Sequence, residues 1–183
     1  MRTILCKNKP GYARKQKFTK AHKARNTKKN KEMRGYATMI KVLFICHGNI
    51  CRSPMAEFIM KELCRKEGIY MDIDSMALTY EEIGNDMYPP AKRKLTEKGI
   101  PFTPRQARIM ERCDYFDYDY IYYMDAENKR DVSRIVGEDL EHKIYRLLPD
   151  RDVADPWWTG DFETTYQDVL EGCKLRLKEI END

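Results

Sequence analysis

The sequence lacks any apolar run close to the roughly 20 residues that a membrane-spanning helix needs. Near its start, the apolar run Ile4-Leu5-Cys6 is short and charged residues follow it at once. This is not the pattern of a secretory signal peptide, which carries a longer apolar region. We therefore expect a cytoplasmic protein that does not insert into a membrane.

Cysteine pairs at metal-binding spacing are also absent. The six cysteines contain no Cys-x-x-Cys unit, so the sequence gives no indication of a zinc site. In a protein without a secretory signal, cysteines are expected to be free thiols in a reducing compartment. The sequence thus predicts neither a bound metal nor a disulfide framework.

Acidic residues are almost missing from the first 38 positions. These positions hold 13 of the 34 Lys and Arg residues but one of the 30 acidic residues, so their net charge is +12, against −8 for the rest. Residues 7–34 show no sustained apolar periodicity, and such a segment cannot bury enough apolar surface to offset its ordering entropy. We predict a disordered basic extension over 1–38 and a folded domain over 39–183. A basic arm that binds nucleic acid is the less favoured alternative.

From Met39 onward the chain alternates strand patterns with helix patterns. Apolar and aromatic runs predict strands over 41–46, 70–75, 118–124 and 143–148. Amphipathic patterns predict helices over 53–66, 91–98, 107–116, 125–135 and 162–180, with loops over 78–88 and 150–162. This order predicts a three-layer αβα fold around a four-stranded parallel sheet. In such folds the functional site lies at the carboxyl ends of the strands.

One segment combines a thiol with the parts of an anion site. The strand pattern over 42–45 ends at Cys46, Arg52 follows six residues later, and the step Ser53-Pro54 opens a helix. A loop in this position can turn several backbone N–H groups inward, and the helix N-terminus adds partial positive charge. The segment therefore predicts a binding site for a tetrahedral, doubly charged anion.

The same segment points to nucleophilic catalysis by Cys46. Arg52 offers a planar fork that can hold two phosphate oxygens, and positive surroundings favour the thiolate, the reactive form of cysteine. Gly48 permits either a positive φ or a close approach of the backbone to a ligand. Asn49 and Ser53 are short polar side chains that can brace the loop.

A second loop offers the proton donor that a leaving group requires. The residues Asp155-Pro156-Trp157-Trp158 follow the fourth predicted strand, which places them at the same edge of the sheet as Cys46. Pro156 restricts the backbone of Asp155, and the two indoles can wall a pocket for a flat substrate. We therefore pair Cys46 with Asp155.

The two segments Cys46-His-Gly-Asn-Ile-Cys-Arg-Ser-Pro-Met-Ala-Glu57 and Asp155-Pro-Trp-Trp158 closely resemble the low-molecular-weight protein tyrosine phosphatases. The resemblance extends from about residue 40 to the C-terminus and leaves the basic segment unexplained. It implies the flavodoxin-like phosphotyrosine phosphatase I fold, and a reaction without metal or other cofactor. It also implies that the substrate is a phosphotyrosine-containing protein or a small aryl phosphate.

The resemblance further implies a role for each matching residue. Cys46 would form a cysteinyl-phosphate, Arg52 would bind the phosphate, and Asp155 would serve first as acid and then as base. The network that keeps the loop open would consist of Asn49, Ser53 and Ser75. The residues expected to contact substrate are His47, Gly48, Asn49, Ile50, Cys51, Trp157 and Trp158.

Three positions leave questions open. The family commonly has a histidine in the loop-bracing network, whereas this chain has Arg105 in that segment. Cys51 matches a second loop thiol that can form a reversible disulfide with the nucleophile, and spacing alone does not decide whether it does so here. His47, often aliphatic in relatives, either tunes substrate choice and pH dependence or is a solvated rim residue.

Two other enzymatic functions on the same fold, and one non-enzymatic function, are less favoured. A thiol-dependent arsenate reductase needs two further cysteines, typically close in sequence, but Cys64, Cys113 and Cys173 lie far apart. Protein arginine phosphatases tend to carry Thr where this chain has Ile50, which is a modest argument for phosphotyrosine. The non-enzymatic alternative is a basic-tailed module that binds RNA or the ribosome, and the combination of nucleophile, arginine and acid argues against it. The sequence makes no prediction of oligomeric state.

Overall fold

The computed structural model describes residues 39–183, so the prediction for the basic segment lies outside the described residues. Four strands are present, Ile40–Cys46 (β1), Met71–Ala77 (β2), Tyr120–Tyr123 (β3) and Ile144–Arg146 (β4). They form one sheet in the order β2-β1-β3-β4, and every neighbouring pair is parallel. The predicted four-stranded parallel sheet is thus confirmed.

Helices connect the strands and cover both faces of the sheet. They are Arg52–Glu67 (α1), Pro89–Glu97 (α2), Ala126–Val136 (α3), Pro156–Thr159 (α4) and Phe162–Asn182 (α5), with a 3-10 helix at Asp114–Asp117. Helix α1 stops where Gly68 turns into the left-handed region, at φ 70°, which glycine adopts without steric cost. No helix formed by residues 39–183 is long and apolar enough to cross a membrane.

Strand β1 lies at the centre of the core. Val42 and Phe44 face the apolar cluster that includes α1, α2 and α5, whereas Leu43 and Ile45 face the cluster that includes α3. All four side chains are fully buried. Because successive residues of a strand point to opposite faces, a strand covered on both sides must be apolar throughout. This explains the uninterrupted apolar run before Cys46.

The predicted helix over 107–116 is wrong in its first part. Ile109 forms a parallel bridge with Ala77, and the N–H of Met110 donates to the carbonyl of Ala77 at 2.8 Å. Helical structure begins only at the 3-10 helix. The segment adopts an extended conformation because its backbone forms hydrogen bonds with the end of edge strand β2. The amphipathic spacing of its residues contains no information about this partner.

The predicted loop over 150–162 contains the short helix α4. Its start has a recognisable pattern, since Asp155 caps it and Pro156 occupies its first turn. The remaining differences concern boundaries: β2 extends to Ala77, α2 begins at Pro89, and β3 and β4 are shorter than predicted. None of them changes the edge of the sheet at which the loops meet.

Candidate active site

The loop between β1 and α1 lies at the carboxyl edge of the sheet. Cys46 ends β1 in register with Ala77 of β2. Asn49 is fully buried and has a φ of 58°, so the left-handed residue of this loop is Asn49 and not Gly48. A Cβ atom at Gly48 would lie 2.9 Å from Cγ of Glu82. Gly48 therefore permits a close approach between two loops.

A chain of hydrogen bonds runs from the thiol into the protein. Cys46 Sγ lies 3.0 Å from Ser53 Oγ, and Asn49 Nδ2 donates to Ser53 Oγ at 2.8 Å and to Ser75 Oγ at 2.9 Å. Ser75 Oγ in turn donates to the buried carboxylate of Glu57 at 2.6 Å. The three predicted bracing residues are thus in contact, and Glu57 extends the chain.

Arg105 joins the same network. Its Nη1 donates to the carbonyl oxygen of Asn49 at 2.8 Å, and its Nη2 donates to Asn49 Oδ1 at 2.7 Å and to Ser75 Oγ at 3.1 Å. Its Nε lies 3.7 Å from Oε2 of Glu57. The guanidinium group of Arg105 therefore donates hydrogen bonds to both the backbone and the side chain of Asn49, in the segment where the family commonly has histidine.

Arg52 is held between two carboxylates. Its side chain is 4% exposed, and it lies 2.5 Å from Asp125 Oδ2 through Nη1 and 2.6 Å from Asp155 Oδ2 through Nη2. Burial opposes its charge, but the negative groups of Cys46, Asp155 and Asp125 outweigh burial and raise the pKa of Arg52. The guanidinium is thus a permanent cation with its planar face fixed at the start of α1.

Both carboxylates are also helix caps, which fixes where they stand. Asp155 Oδ1 accepts the N–H of Trp157 at 3.0 Å, and Asp125 Oδ1 accepts the N–H of Asn128 at 2.7 Å. Asp125 directly precedes α3 and follows β3 closely, so it comes from the same edge of the sheet as Cys46. Each carboxylate uses one oxygen for its helix and the other for Arg52.

These groups surround a cleft of about 390 Å³, and its lining residues are Cys46, His47, Gly48, Ile50, Cys51, Arg52, Glu81, Glu82, Glu127, Asp155, Trp157 and Trp158. The indoles are 54% and 83% exposed, so they stand as walls at the mouth. His47 Nε2 lies 2.9 Å from Glu81 Oε2, and three glutamates make this rim acidic.

The cleft is lined by all residues predicted to react with or contact the substrate except Asn49. The side chain of Asn49 points into the bracing network, where it contacts the other two predicted bracing residues, Ser53 and Ser75. Sequence reasoning missed the roles of Asp125 and Glu57 and the acidic rim. Asp125 lies two residues after the end of a parallel strand, which is close to the signal that identified Cys46, whereas the rim glutamates lie in no recognisable pattern.

Cys51 and Cys46 are both free thiols and both buried. Burial, followed by the negative charges of Cys46 and Asp155, raises the pKa of Cys51 far above its usual range. Cys51 therefore stays protonated and is a poor nucleophile.

Together, these features define a class of protein. A thiol at the end of a parallel strand, an arginine at the start of the next helix and a carboxylate from a facing loop are the parts of a cysteine-dependent phosphatase site. The sequence profile of the family described as low molecular weight phosphotyrosine protein phosphatase matches residues 41–183. The chain belongs to this family of hydrolases, which confirms the predicted family and enzyme class.

Similar proteins support the same assignment. The low molecular weight protein-tyrosine-phosphatase YfkJ of Bacillus subtilis is 40% identical over 153 residues, which cover 79% of this chain and 98% of the relative. The crystal structure of YfkJ superposes with a TM-score of 0.77 at 38% identity, covering 81% of this chain and 98% of that one.

Two further solved structures are similar. SP-PTP, a low molecular weight protein tyrosine phosphatase of Streptococcus pyogenes, gives a TM-score of 0.71 at 37% identity, covering 77% of this chain and 93% of that one. The crystal structure of DARP, an arginine phosphatase of Drosophila, gives a TM-score of 0.70 at 29% identity, covering 79% of this chain and 99% of that one. Phosphatases with different named substrates therefore share this fold.

Proposed function

We propose that this protein hydrolyses phosphotyrosine in protein substrates, and small aryl phosphates in solution, through a cysteinyl-phosphate on Cys46. The observation that carries the proposal is the ion pair of 2.6 Å between Arg52 and Asp155. It joins the phosphate-binding loop to the loop of the proton donor at one cleft, which also contains the thiol.

In the first step, Cys46 Sγ attacks the phosphorus atom as the bond to the phenolic oxygen breaks. Ser53 Oγ, 3.0 Å from Sγ, stabilises the thiolate by donating a hydrogen bond. The phosphate oxygens take the place of the Asp155 carboxylate on Arg52. Asp155, released from Arg52 and protonated, donates its proton to the phenolic oxygen as the phenol leaves.

In the second step, water attacks the phosphorus atom of the cysteinyl-phosphate. Asp155, now ionised, accepts a proton from this water, the S–P bond breaks, and inorganic phosphate leaves with the thiolate restored. Asp125 keeps its contact with Nη1 of Arg52 throughout, so the guanidinium does not rotate away. Asn49, Ser75 and Arg105 keep the loop in the shape that receives the three equatorial oxygens.

The walls of the cleft favour an aromatic leaving group. Trp157 and Trp158 can stack against a phenyl ring, and Ile50 offers an apolar contact in the loop itself, where a hydroxyl group would favour a more polar substrate. Hydrolysis of phosphoarginine is the alternative, because an arginine phosphatase shares the fold and the rim contains Glu81, Glu82 and Glu127.

We further propose that the protein works in the cytoplasm. Its reaction requires a reduced Cys46, and reduced thiols persist in the cytosol. Cell fractionation with a compartment marker tests this directly. Recovery of the protein in an oxidising compartment would contradict the proposal.

Hydrolysis of p-nitrophenyl phosphate by the wild type, Cys46→Ser and Asp155→Ala tests the mechanism. We expect no turnover by Cys46→Ser. We expect a loss of about 100-fold or more in kcat for Asp155→Ala with phenyl phosphate, and a smaller loss with p-nitrophenyl phosphate, whose leaving group needs less protonation. Normal turnover by Cys46→Ser would show that the mechanism is wrong.

Matched peptides decide the substrate class. Two peptides of one sequence, carrying either phosphotyrosine or phosphoarginine, are compared by kcat/KM with wild-type protein. We expect the phosphotyrosine peptide to be preferred. An Ile50→Thr variant serves as the control, because a shift towards phosphoarginine in this variant would identify Ile50 as the selecting residue. A wild-type preference for phosphoarginine would overturn the substrate assignment.

A further inference from the structure

A second cleft adjoins the candidate active site. It has a volume of about 500 Å³ and lies between α2 and the start of α5, and Trp157 lines both clefts. The indole of Trp157 therefore forms the wall between the candidate active-site cleft and the second cleft. The second cleft is thus within reach of a substrate that extends beyond the reacting residue.

The shared wall is fixed by aromatic neighbours. The ring of Tyr88 lies 5.7 Å from that of Trp157 and 6.1 Å from that of Phe162, centroid to centroid. The N–H of Tyr88 donates to the carbonyl of Ile50 at 2.8 Å, so this wall is tied to the phosphate-binding loop. Tyr88 thus connects the wall of the second cleft directly to the loop that begins at Cys46.

Within the part of the chain that the structure describes, one cation of α2 at this cleft has no carboxylate partner. The lysines next to Arg93 each have carboxylate partners: Lys92 with Asp86 at 2.5 Å, and Lys94 with Glu97 at 2.7 Å and Glu163 at 2.9 Å. Glu97, which also lines the cleft, is occupied by Lys94. Arg93 is exposed and has neither an ion pair nor a side-chain hydrogen bond among residues 39–183. Its charge is therefore available to a ligand.

The two clefts differ in the sign of their rim charge. The rim of the active-site cleft contains Glu81, Glu82 and Glu127, whereas the free charge of the second cleft is the guanidinium of Arg93. An arginine beside aromatic rings suits a carboxylate that carries an aliphatic stem. The charge pattern therefore predicts opposite preferences on the two sides of the reacting residue.

We propose that the second cleft binds an acidic side chain located within a few residues of phosphotyrosine in a protein substrate. Its carboxylate pairs with Arg93, and its stem packs against Trp157 and Pro90. An extended peptide advances about 3.3 Å per residue, so a near neighbour of the phosphotyrosine can reach across one indole. This proposal rests on the proposed phosphotyrosine phosphatase function and adds a sequence preference to it.

The test compares kcat/KM for phosphotyrosine peptides that have Glu, Ala or Lys at one position at a time, within a few residues on either side of the phosphotyrosine. On the side that reaches the second cleft, we expect wild-type protein to hydrolyse the Glu peptide best and the Lys peptide worst. An exposed ion pair predicts steps of about two- to five-fold, which shrink at high salt. The variant Arg93→Glu should reverse the order while p-nitrophenyl phosphate turnover stays unchanged.

Arg112→Glu provides the matched control. Arg112 is also exposed but lies next to Gly137 at the end of α3, which packs on the opposite face of the sheet from α2, and the substitution changes the net charge equally. It should leave the peptide order unchanged. The proposal for the second cleft would be wrong if wild-type protein does not prefer the Glu peptide. It would also be wrong if Arg93→Glu and Arg112→Glu change the peptide preference equally. If wild-type protein does not hydrolyse p-nitrophenyl phosphate at all, the proposed phosphatase function itself would be wrong.

Discussion

At the scale of single residues, Arg52 carries the strongest constraint. It is buried, charged and bonded to Asp125 and Asp155, so a substrate phosphate must displace one carboxylate before it can bind. In the proposed mechanism, displacing Asp155 releases the group that protonates the leaving oxygen, which links binding to catalysis. Displacing Asp125 would break the contact between the Arg52 guanidinium and α3 without releasing a proton donor.

Arg52→Lys tests this two-sided role. A lysine retains the charge but is a point donor, so it cannot hold Asp125 and two phosphate oxygens in one plane. We expect kcat/KM for p-nitrophenyl phosphate to fall by about 100-fold or more, with weaker inhibition by inorganic phosphate. Circular dichroism controls for folding. Near-normal turnover would show that charge alone suffices.

Cys51 gives a second prediction at this scale. Because burial raises its pKa far above the usual range, its thiol stays protonated at pH 8 and reacts slowly with iodoacetamide. Cys46 should be alkylated first, and added phosphate should protect it. Peptide mapping by mass spectrometry measures both sites, and Cys46→Ser serves as the control. Labelling of Cys51 ahead of Cys46 would contradict the assignment of the nucleophile.

At the scale of elements, Asp125 connects a helix to the active site. Its Oδ1 caps α3 and its Oδ2 holds Arg52. Asp125→Ala loses both contacts and should lower the free energy of unfolding by about 1 kcal/mol. Asp125→Asn keeps an oxygen for the cap but loses the charge. We expect reduced kcat/KM in both variants and reduced stability mainly in Asp125→Ala, measured by urea unfolding. Full activity in Asp125→Asn would show that the Arg52 contact is dispensable.

The brace of the phosphate-binding loop can be tested through its pH dependence. Arginine side chains are not deprotonated in proteins, so we expect the hydrogen bonds from Arg105 to Asn49 to be independent of pH in the wild type. A histidine in its place has an ordinary pKa of about 6.5 and loses its second donor as the pH rises. We expect Arg105→His to lose activity relative to wild type between about pH 6 and 8.

Arg105→Lys is the comparison for this prediction. It retains a cation that does not titrate in this range but cannot grip the carbonyl and the side chain of Asn49 together. It should be less active than wild type at every pH, with a parallel pH profile. A profile of Arg105→His that is also parallel to wild type would argue against a bracing role for this position.

At the scale of the whole molecule, the domain boundary remains a prediction. A variant that begins at Met39 should keep the fold and its activity towards p-nitrophenyl phosphate. The reason is that residues 1–38 carry a net charge of +12 without apolar periodicity, so they add little to a core. Circular dichroism melting and steady-state kinetics measure both properties. A large loss of either would show that the basic segment belongs to the domain.

Local patterns predicted the order of the elements and the loop from Cys46 to Arg52. A buried strand, a helix start and a capping Asp-Pro step each depend on neighbouring residues, so they can be identified without the rest of the chain. The first part of the helix predicted over 107–116 is wrong because Ile109 pairs with Ala77, more than 30 residues away. Local pattern does not report such a partner.

The sequence by itself thus determined the parallel sheet, and it predicted Cys46 as the nucleophile and Asp155 as the proton donor, since each follows from residue type and position after a strand. Only the tertiary structure decided that Arg52 lies between Asp125 and Asp155, and that Arg105 reaches Asn49 across 56 positions of the chain. Parallel strands bring their carboxyl ends together regardless of their separation in sequence. The contacts made at that shared edge are therefore a property of the folded chain.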